Sequence, residues 1–476
     1  MIDAALLKMG IAELSRRIAG REVSPVEVVD NSIAHIEKLQ PQVNGFITLL
    51  FEQARDQARL RERAISRGEY LGPLDGIPIG VKDNLAVAGV TATVGSKAMD
   101  DNVPAEDAEA VRRIRAAGAI VVGKENMHEF AAGGRSNNRH YGAVGNPWDI
   151  ERIPGGSSGG SGANVAGCMT YASLGTDVGG SVRFPGHCCG VVGMKQTFGR
   201  ASQRGSLMTW QHCDHVGTLT RSVADNACVL QTYAGHDPLD PSSVSIPVPD
   251  FSATIGRDLS GVKVGLPKNF FFDIISDDVE QAVLNALAAL QTAGAEVVEV
   301  TLPHLEYARS VWLLMAVETA VTHEHLLRDK RGDISPDLVA GMLAGQFILA
   351  RDYIKARKLE RVVKEGFANA LQHVDVIVTP TSPVVAPRID AERITIKGVE
   401  HDLTVDRDEV MGRNTYIGNI VGLPCISVPC GFGEAGMPIG LQLMCRPFEE
   451  SLLYQIAAAY EATSPAKGKF PKLVGT

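Results

Sequence analysis

The chain has 476 residues, 45% hydrophobic and 21% charged, a balance that builds a large core and excludes a disordered chain. Its net charge of −9 and pI near 5.8 argue against nucleic acid or an anionic membrane as the main partner. No stretch of ~20 apolar residues is present, so no membrane-spanning helix is expected.

The first residues, MIDAALLKMG, lack a basic region followed by a long apolar run, so no signal peptide is expected. Residues 1–70 read as a helical N-terminal segment. Ser24-Pro25-Val26-Glu27 forms a capping box with proline at the first helical position. Val28, Val29, Ile33, Ile36 and Leu39 then recur at helical spacing. A second amphipathic helix is predicted from Glu52 to Ser66.

From Leu74 onward the pattern changes to short apolar runs alternating with helical stretches. Strands are predicted at Ile77–Val81, Ala119–Val122, Val262–Leu266, Glu296–Val300, Val374–Val378, Ile426–Val428 and Ile439–Met444. Helices are predicted at Ala108–Ala117, Val279–Ala293, Leu305–Leu327 and Ser451–Thr463. This alternation predicts an α/β fold around a mixed or mostly parallel sheet. Asp237 to Pro249 holds four prolines and reads as a loop. The eight cysteines form no CxxC pair and read as buried thiols of a reducing cytoplasm.

Three short patterns mislead. Gly118 to Lys124 nearly matches a P-loop, but Glu125 stands where Ser or Thr must hold magnesium, and the β-branched spacer suits a strand. Ser260-Gly-Val-Lys263 fits S-x-x-K without its companion motifs. Gly156-Ser157-Ser158-Gly159-Gly160 contains G-x-S-x-G, which would make Ser158 the nucleophile, yet Arg152-Ile153-Pro154 is a poor preceding strand.

Residues 154–183 read PGGSSGGSGANVAGCMTYASLGTDVGGSVR. Apolar Val165 to Leu174 joins two glycine clusters, which argues for two tight loops facing each other and against a flexible linker. Consecutive glycines expose backbone N–H groups as an oxyanion hole requires, and each cluster carries serines. The activating base is open to several residues. His128, His140, His187, His212 and His215 lie nearby without a pattern that assigns a role. Lys82 stands at the end of an apolar strand, where partial desolvation lowers a lysine pKa. Taken alone, Lys82 would sooner be read as a salt bridge to Asp83.

The stretch from Asp75 to Arg200 resembles the amidase signature family. The matching pieces are Leu74 to Asp83, Lys124 to Phe130, Asn146-Pro147-Trp148, Pro154 to Ser161, Gly175 to Arg183 and Gly190 to Lys195. Asp214 to Gly217, Thr379 to Pro383, Gly422-Leu423-Pro424 and Ser427-Val428-Pro429 extend the likeness along most of the chain. The resemblance implies a single domain over 1–476, with the signature region at 75–200. It implies a mixed, twisted central sheet covered by helices on both faces.

It also implies a Ser–cis-Ser–Lys triad. Ser181 matches the nucleophile, Ser157 the bridging serine with a cis peptide before it, and Lys82 the base. Val178, Gly179, Gly180 and Ser181 would give oxyanion-hole amides. No cofactor and no metal is implied. The expected partner is a small-molecule amide, in the cytoplasm, with a homodimer allowed for. This chain departs from the family at Val178, where threonine is frequent, along Pro185-Gly186-His187-Cys188-Cys189, and at Gln196, where proline is common.

The resemblance implies an amidase acting on a linear amide through a Ser181 acyl-enzyme, with an esterase side activity. One alternative is the glutamine-hydrolysing A subunit of a tRNA-dependent amidotransferase. That branch grips glutamine with an arginine and an aspartate, whose positions here fall near Gly341 and Gly412. Another alternative is a silent binding protein on the same fold. Trp210, His212 and Phe270 to Phe272 are candidates for the substrate pocket.

Overall fold

The capping box at Ser24 forms as the sequence requires. Ser24 Oγ accepts the Glu27 N–H at 3.1 Å, and Glu27 returns a carboxylate to the Ser24 N–H at 2.8 Å. The helix Pro25–Val43 follows, with Val28, Val29, Ile33, Ile36 and Leu39 all inaccessible to solvent. The computed structural model describes residues 2–207, 210–312, 314–404 and 408–475.

Eleven strands make one central sheet: β1 Phe46–Leu49, β2 Pro78–Lys82, β3 Ile120–Glu125, β4 Ala172–Thr176, β5 Val192–Lys195, β6 Val216–Thr220, β7 Lys263–Pro267, β8 Glu296–Val300, β9 Val376–Pro380, β10 Cys425–Phe432 and β11 Pro438–Cys445. Their order is β1-β3-β2-β4-β6-β5-β10-β11-β9-β7-β8. The pairs β3–β2, β2–β4, β9–β7 and β7–β8 are parallel and the rest antiparallel, so the sheet is mixed.

Alternate residues of its strands enter different cores, as the two-residue period dictates. Val376 and Val378 pack with the helices Asp277–Thr292 and Glu450–Thr463, whereas Ile377 packs with Ala350–Ala370 and Arg413–Ile420. Helices therefore cover both faces.

All seven strands predicted from the sequence are present. Four more strands of this sheet were not predicted: β4, β5 and β6 carry glycine, threonine or serine, and β1, Phe46–Leu49, is only four residues long. β1 also corrects the reading of residues 1–70 as wholly helical. It adds antiparallel to β3, and Gly123 lets the Phe46 ring approach. The predicted helix Leu305–Leu327 opens with a 3-10 turn, Leu305–Tyr307, and is interrupted at His323, before Glu324–Asp329; residue 313 lies outside the described residues. The helices Pro336–Gln346 and Ala350–Ala370 were not foreseen.

Strands β2 and β4 are parallel neighbours, so their carboxyl ends meet on one edge of the sheet. In open α/β sheets ligands bind outside such carboxyl ends. Lys82 ends β2 and Thr176 ends β4. The two glycine–serine loops close over this edge, one before the helix Gly159–Ala166 and one before Arg183–Cys189.

Candidate active site

Lys82 is wholly buried, and its Nζ donates to Ser157 Oγ at 2.7 Å and to Thr176 Oγ1 at 2.8 Å. Both partners are neutral. Burial lowers the Lys82 pKa to about 7, against the opposing pull of Asp214, Asp177 and Glu125. Asp83 does not pair with it. Its carboxylate meets Lys124 Nζ at 3.0 Å and accepts from Thr93, on the opposite side of the strand. The near-P-loop is thus a strand whose lysine is consumed in a buried ion pair.

The Gly156–Ser157 peptide is cis. Ser157 is fully buried, while Ser181 keeps 7% exposure and faces a cavity. The Ser158 N–H donates to the Ser181 carbonyl at 3.2 Å and ties the two loops together. The Ser157 and Ser181 hydroxyls are not directly hydrogen-bonded to each other among the described residues. Ser158 is occupied: its hydroxyl donates to Thr176 O at 3.1 Å and accepts the Thr176 N–H at 3.3 Å. It cannot present a free oxygen to a substrate, which disposes of the nucleophile-elbow reading.

Asp177 organises the second loop. Its carboxylate accepts the Gly180 N–H at 2.8 Å, the Val182 N–H at 3.1 Å, and Arg183 Nη2 at 2.9 Å. Asn419 adds a further donor at 2.9 Å. Burial alone would raise the Asp177 pKa, but the Arg183 charge overrides it and holds the carboxyl far below its usual range. Arg183 also donates to Thr415 O, Gln442 Oε1 and Asn419 Oδ1.

One consequence bears on the four-amide oxyanion hole expected from the sequence. The Gly180 N–H is committed to Asp177, because the turn wraps its amides around that carboxylate. The N–H groups of Val178, Gly179 and Ser181 have no acceptor among the described residues. Gly180 itself sits at φ +117°, and a Cβ there would overlap Thr415, so glycine is required.

The cavity beside Ser181 has a volume of about 60 Å³. Its lining includes small residues, Ala131, Ala132, Gly133, Gly134 and Gly156, and large aromatic or sulfur-bearing ones, Phe184, Trp312, Met315, Met411 and Tyr416. A larger hollow of about 840 Å³ lies between Gln203 and Tyr353, away from Ser181; its size does not make it the reaction site, because no triad residue lines it. None of the pocket candidates taken from the sequence lines the 60 Å³ cavity. Trp210 is buried one layer behind, edge-on to Trp312 at 5.7 Å. His212 is exposed, and Phe271 packs in the core under the helix Ala350–Ala370. Trp312 was missed because it sits in a stretch that reads as one long helix.

His140, His187 and His215 are held by other partners. His187 bonds Val384 O at 2.9 Å and accepts the Gly440 N–H at 2.9 Å, and burial lowers its pKa to about 4. His215 Nδ1 lies 2.7 Å from Cys213 O, and His140 pairs with Glu129 at 3.0 Å. Glu125 is a further buried group near the base. Ser173 Oγ and Asn164 Nδ2 donate to it at 2.6 and 3.0 Å. Burial raises its pKa to about 7 in spite of these donors and the Lys82 charge. No group of His, Cys, Asp or Glu among the described residues is arranged to hold a metal ion.

Comparison with known proteins places this geometry. The family model described as Amidase matches residues 27–454. The A subunit of the glutamyl-tRNA(Gln) amidotransferase of Moorella thermoacetica is 37% identical over 97% of this chain and 98% of its own length. A solved structure from a vestigial protein complex, described with the evolutionary origins of an s-triazine catabolic enzyme, superposes with TM-score 0.91 at 34% identity, covering 96% of this chain and 98% of that one. The substrate complex of 6-aminohexanoate cyclic dimer hydrolase gives TM-score 0.87 at 27% identity over 98% of this chain and 99% of that one.

Proposed function

The chain belongs to the amidase family, and from that membership we propose that it hydrolyses a carboxamide C–N bond to a carboxylate and ammonia or an amine, with Ser181 as nucleophile. The observation that carries this reading is the 2.7 Å contact between a fully buried lysine and Ser157. A lysine with a pKa near 7 is substantially neutral at physiological pH and accepts a proton.

The sequence of steps follows. Lys82 Nζ takes the Ser157 hydroxyl proton as Ser157 takes that of Ser181. Ser181 Oγ attacks the carbonyl carbon, and the oxyanion forms against the free amides of Val178, Gly179 and Ser181. Each essential donor of this kind contributes about 3–4 kcal/mol. The C–N bond then breaks, and the relay returns a proton to the leaving nitrogen. Water enters by the same relay and splits the Ser181 ester, releasing the carboxylate. The relay from Ser157 to Ser181 closes when substrate draws the Ser181 hydroxyl into line, since catalytic hydrogen bonds often tighten only in the substrate complex.

A second reading is favoured by the 37% identity to the amidotransferase relative, which would make glutamine the substrate and a further protein component necessary. Against it, Gly412 lines the cavity where that branch carries an aspartate, and Gly341 has none of the charge of its arginine. No described residue lining the cavity is charged. We therefore favour a free-standing amidase acting on a linear small-molecule amide, with a homodimer allowed for. Eight free cysteines support a cytoplasmic setting. The deciding experiment incubates the purified chain with aliphatic and aryl amides and measures ammonia or amine release. Unaided, Ser181-dependent turnover supports the proposal. Turnover of glutamine only after a second protein component is supplied reverses it.

A further inference from the structure

The Trp312 indole lies directly over Gly179, so closely that a Cβ on this residue would overlap the ring. The ring is fixed there by two others. It stacks on Tyr416 at 5.2 Å with 24° between planes and meets Trp210 edge-on at 5.7 Å. Tyr416 and Trp210 are buried, so this support is rigid on one side. From below, Thr415 Oγ1 donates to Gly179 O at 2.7 Å and holds the peptide against the indole.

The lining also includes Ala131 to Gly134 and Gly156, none with a side chain beyond Cβ. The cavity is about 60 Å³, small against the ~300–1,000 Å³ of ordinary ligand pockets, so it suits a compact acyl group.

We propose that Trp312 is the residue that sets acyl-group size, and that it restricts the enzyme to amides with a compact, uncharged acyl portion. This rests on Ser181 being the nucleophile. Trp312 touches the space the acyl group enters and takes no part in proton transfer. Its removal therefore alters which acyl groups fit while the Lys82–Ser157 contact stays.

The test is the rate of Ser181 labelling by two fluorophosphonates, one bearing methyl and one bearing 2-naphthyl, where Ser181 Oγ displaces fluoride. In the wild type the methyl probe is expected to react at least about 10-fold faster than the naphthyl probe, the discrimination that pocket shape readily supplies. Trp312→Ala is expected to raise the naphthyl rate by about 10-fold or more and leave the methyl rate the same or lower. Trp312→Phe, which keeps a flat ring, should fall between and covers the case where alanine does not fold. The same naphthyl-to-methyl ratio in the wild type and a folded variant overturns the inference. Labelling of a residue other than Ser181, or of none by either probe, sinks the functional reading on which it rests.

Discussion

Asp177 and Arg183 face each other at 2.9 Å with neither side chain reaching solvent. They flank Ser181, and the carboxylate between them collects the Gly180 and Val182 amides. The loop that presents Ser181 is thus shaped around a buried charge. Removing one member of a buried pair leaves the other unpaired, at about 3–5 kcal/mol. Arg183→Met should lower the unfolding free energy by an amount of that order in urea titration. It should also abolish fluorophosphonate labelling where the protein is still folded. A folded Arg183→Met protein with wild-type stability and labelling would show that the pair does not shape the loop.

Adjacent serines offer a sharp contrast. Ser158 is bonded through its hydroxyl to both the carbonyl and the amide of Thr176, whereas Ser181 opens on the cavity. Ser181→Ala should lose activity and all labelling. Ser158→Ala should remain labelled at Ser181, with stability lowered by about 1–3 kcal/mol for backbone groups left unsatisfied. Mass spectrometry of the labelled peptide checks both. A label on Ser158 in the wild type would reverse the assignment.

Glu125 tunes the base from the neighbouring strand. It lies opposite Lys82 in the β2–β3 register, and its negative charge raises the Lys82 pKa. Gln in its place keeps an acceptor for Ser173 and Asn164 without the charge. The neutral form of Lys82 is then reached at lower pH, so the rising limb of kcat/KM against pH should move to the acid side in Glu125→Gln. An unchanged limb, or one moved to the alkaline side, would remove Glu125 from the electrostatics of the base.

The parts of this site that the sequence revealed are those whose chemistry is local. Lys82, Ser157 and Ser181 were singled out through the family resemblance, on motifs that put each at a strand end or in a glycine loop. The seven apolar strands stood out because continuous Val/Ile runs have one structural reading. What stayed hidden depends on contacts across the chain. Thr176, Asp177 and Arg183 are ordinary residues until the fold joins them to Lys82, Asn419 and Gln442. The Gly180 amide could be counted as an oxyanion donor only while the Asp177 carboxylate beneath it was unseen. Trp312 reaches the cavity through contacts with Gly179, Tyr416 and Trp210, which lie far from it in the sequence.

The role of Lys82 makes the most demanding prediction. An ordinary lysine, with a pKa near 10.4, would be almost wholly protonated at neutral pH and unable to accept a proton. Here burial lowers the pKa to about 7, while Asp214, Asp177 and Glu125 pull it upward. The sign follows directly. The base form grows as pH rises through about 7, so kcat/KM should rise along a single ionisation centred there and then level. His187 and His215 do not give such a limb, because burial lowers the His187 pKa to about 4 and holds His215 well below its ordinary range. Lys82→Ala should lower turnover by about 10²–10⁴-fold, the usual contribution of a positioned general base. Lys82→Arg should be no better, since guanidinium stays protonated throughout this range. Ser157→Ala breaks the path between Lys82 and Ser181 and should fall with them. The measurement is the pH profile of the wild type beside the three variants, with circular dichroism to establish folding. A flat wild-type profile, or a Lys82→Arg variant with most of its activity, would take the lysine out of the relay.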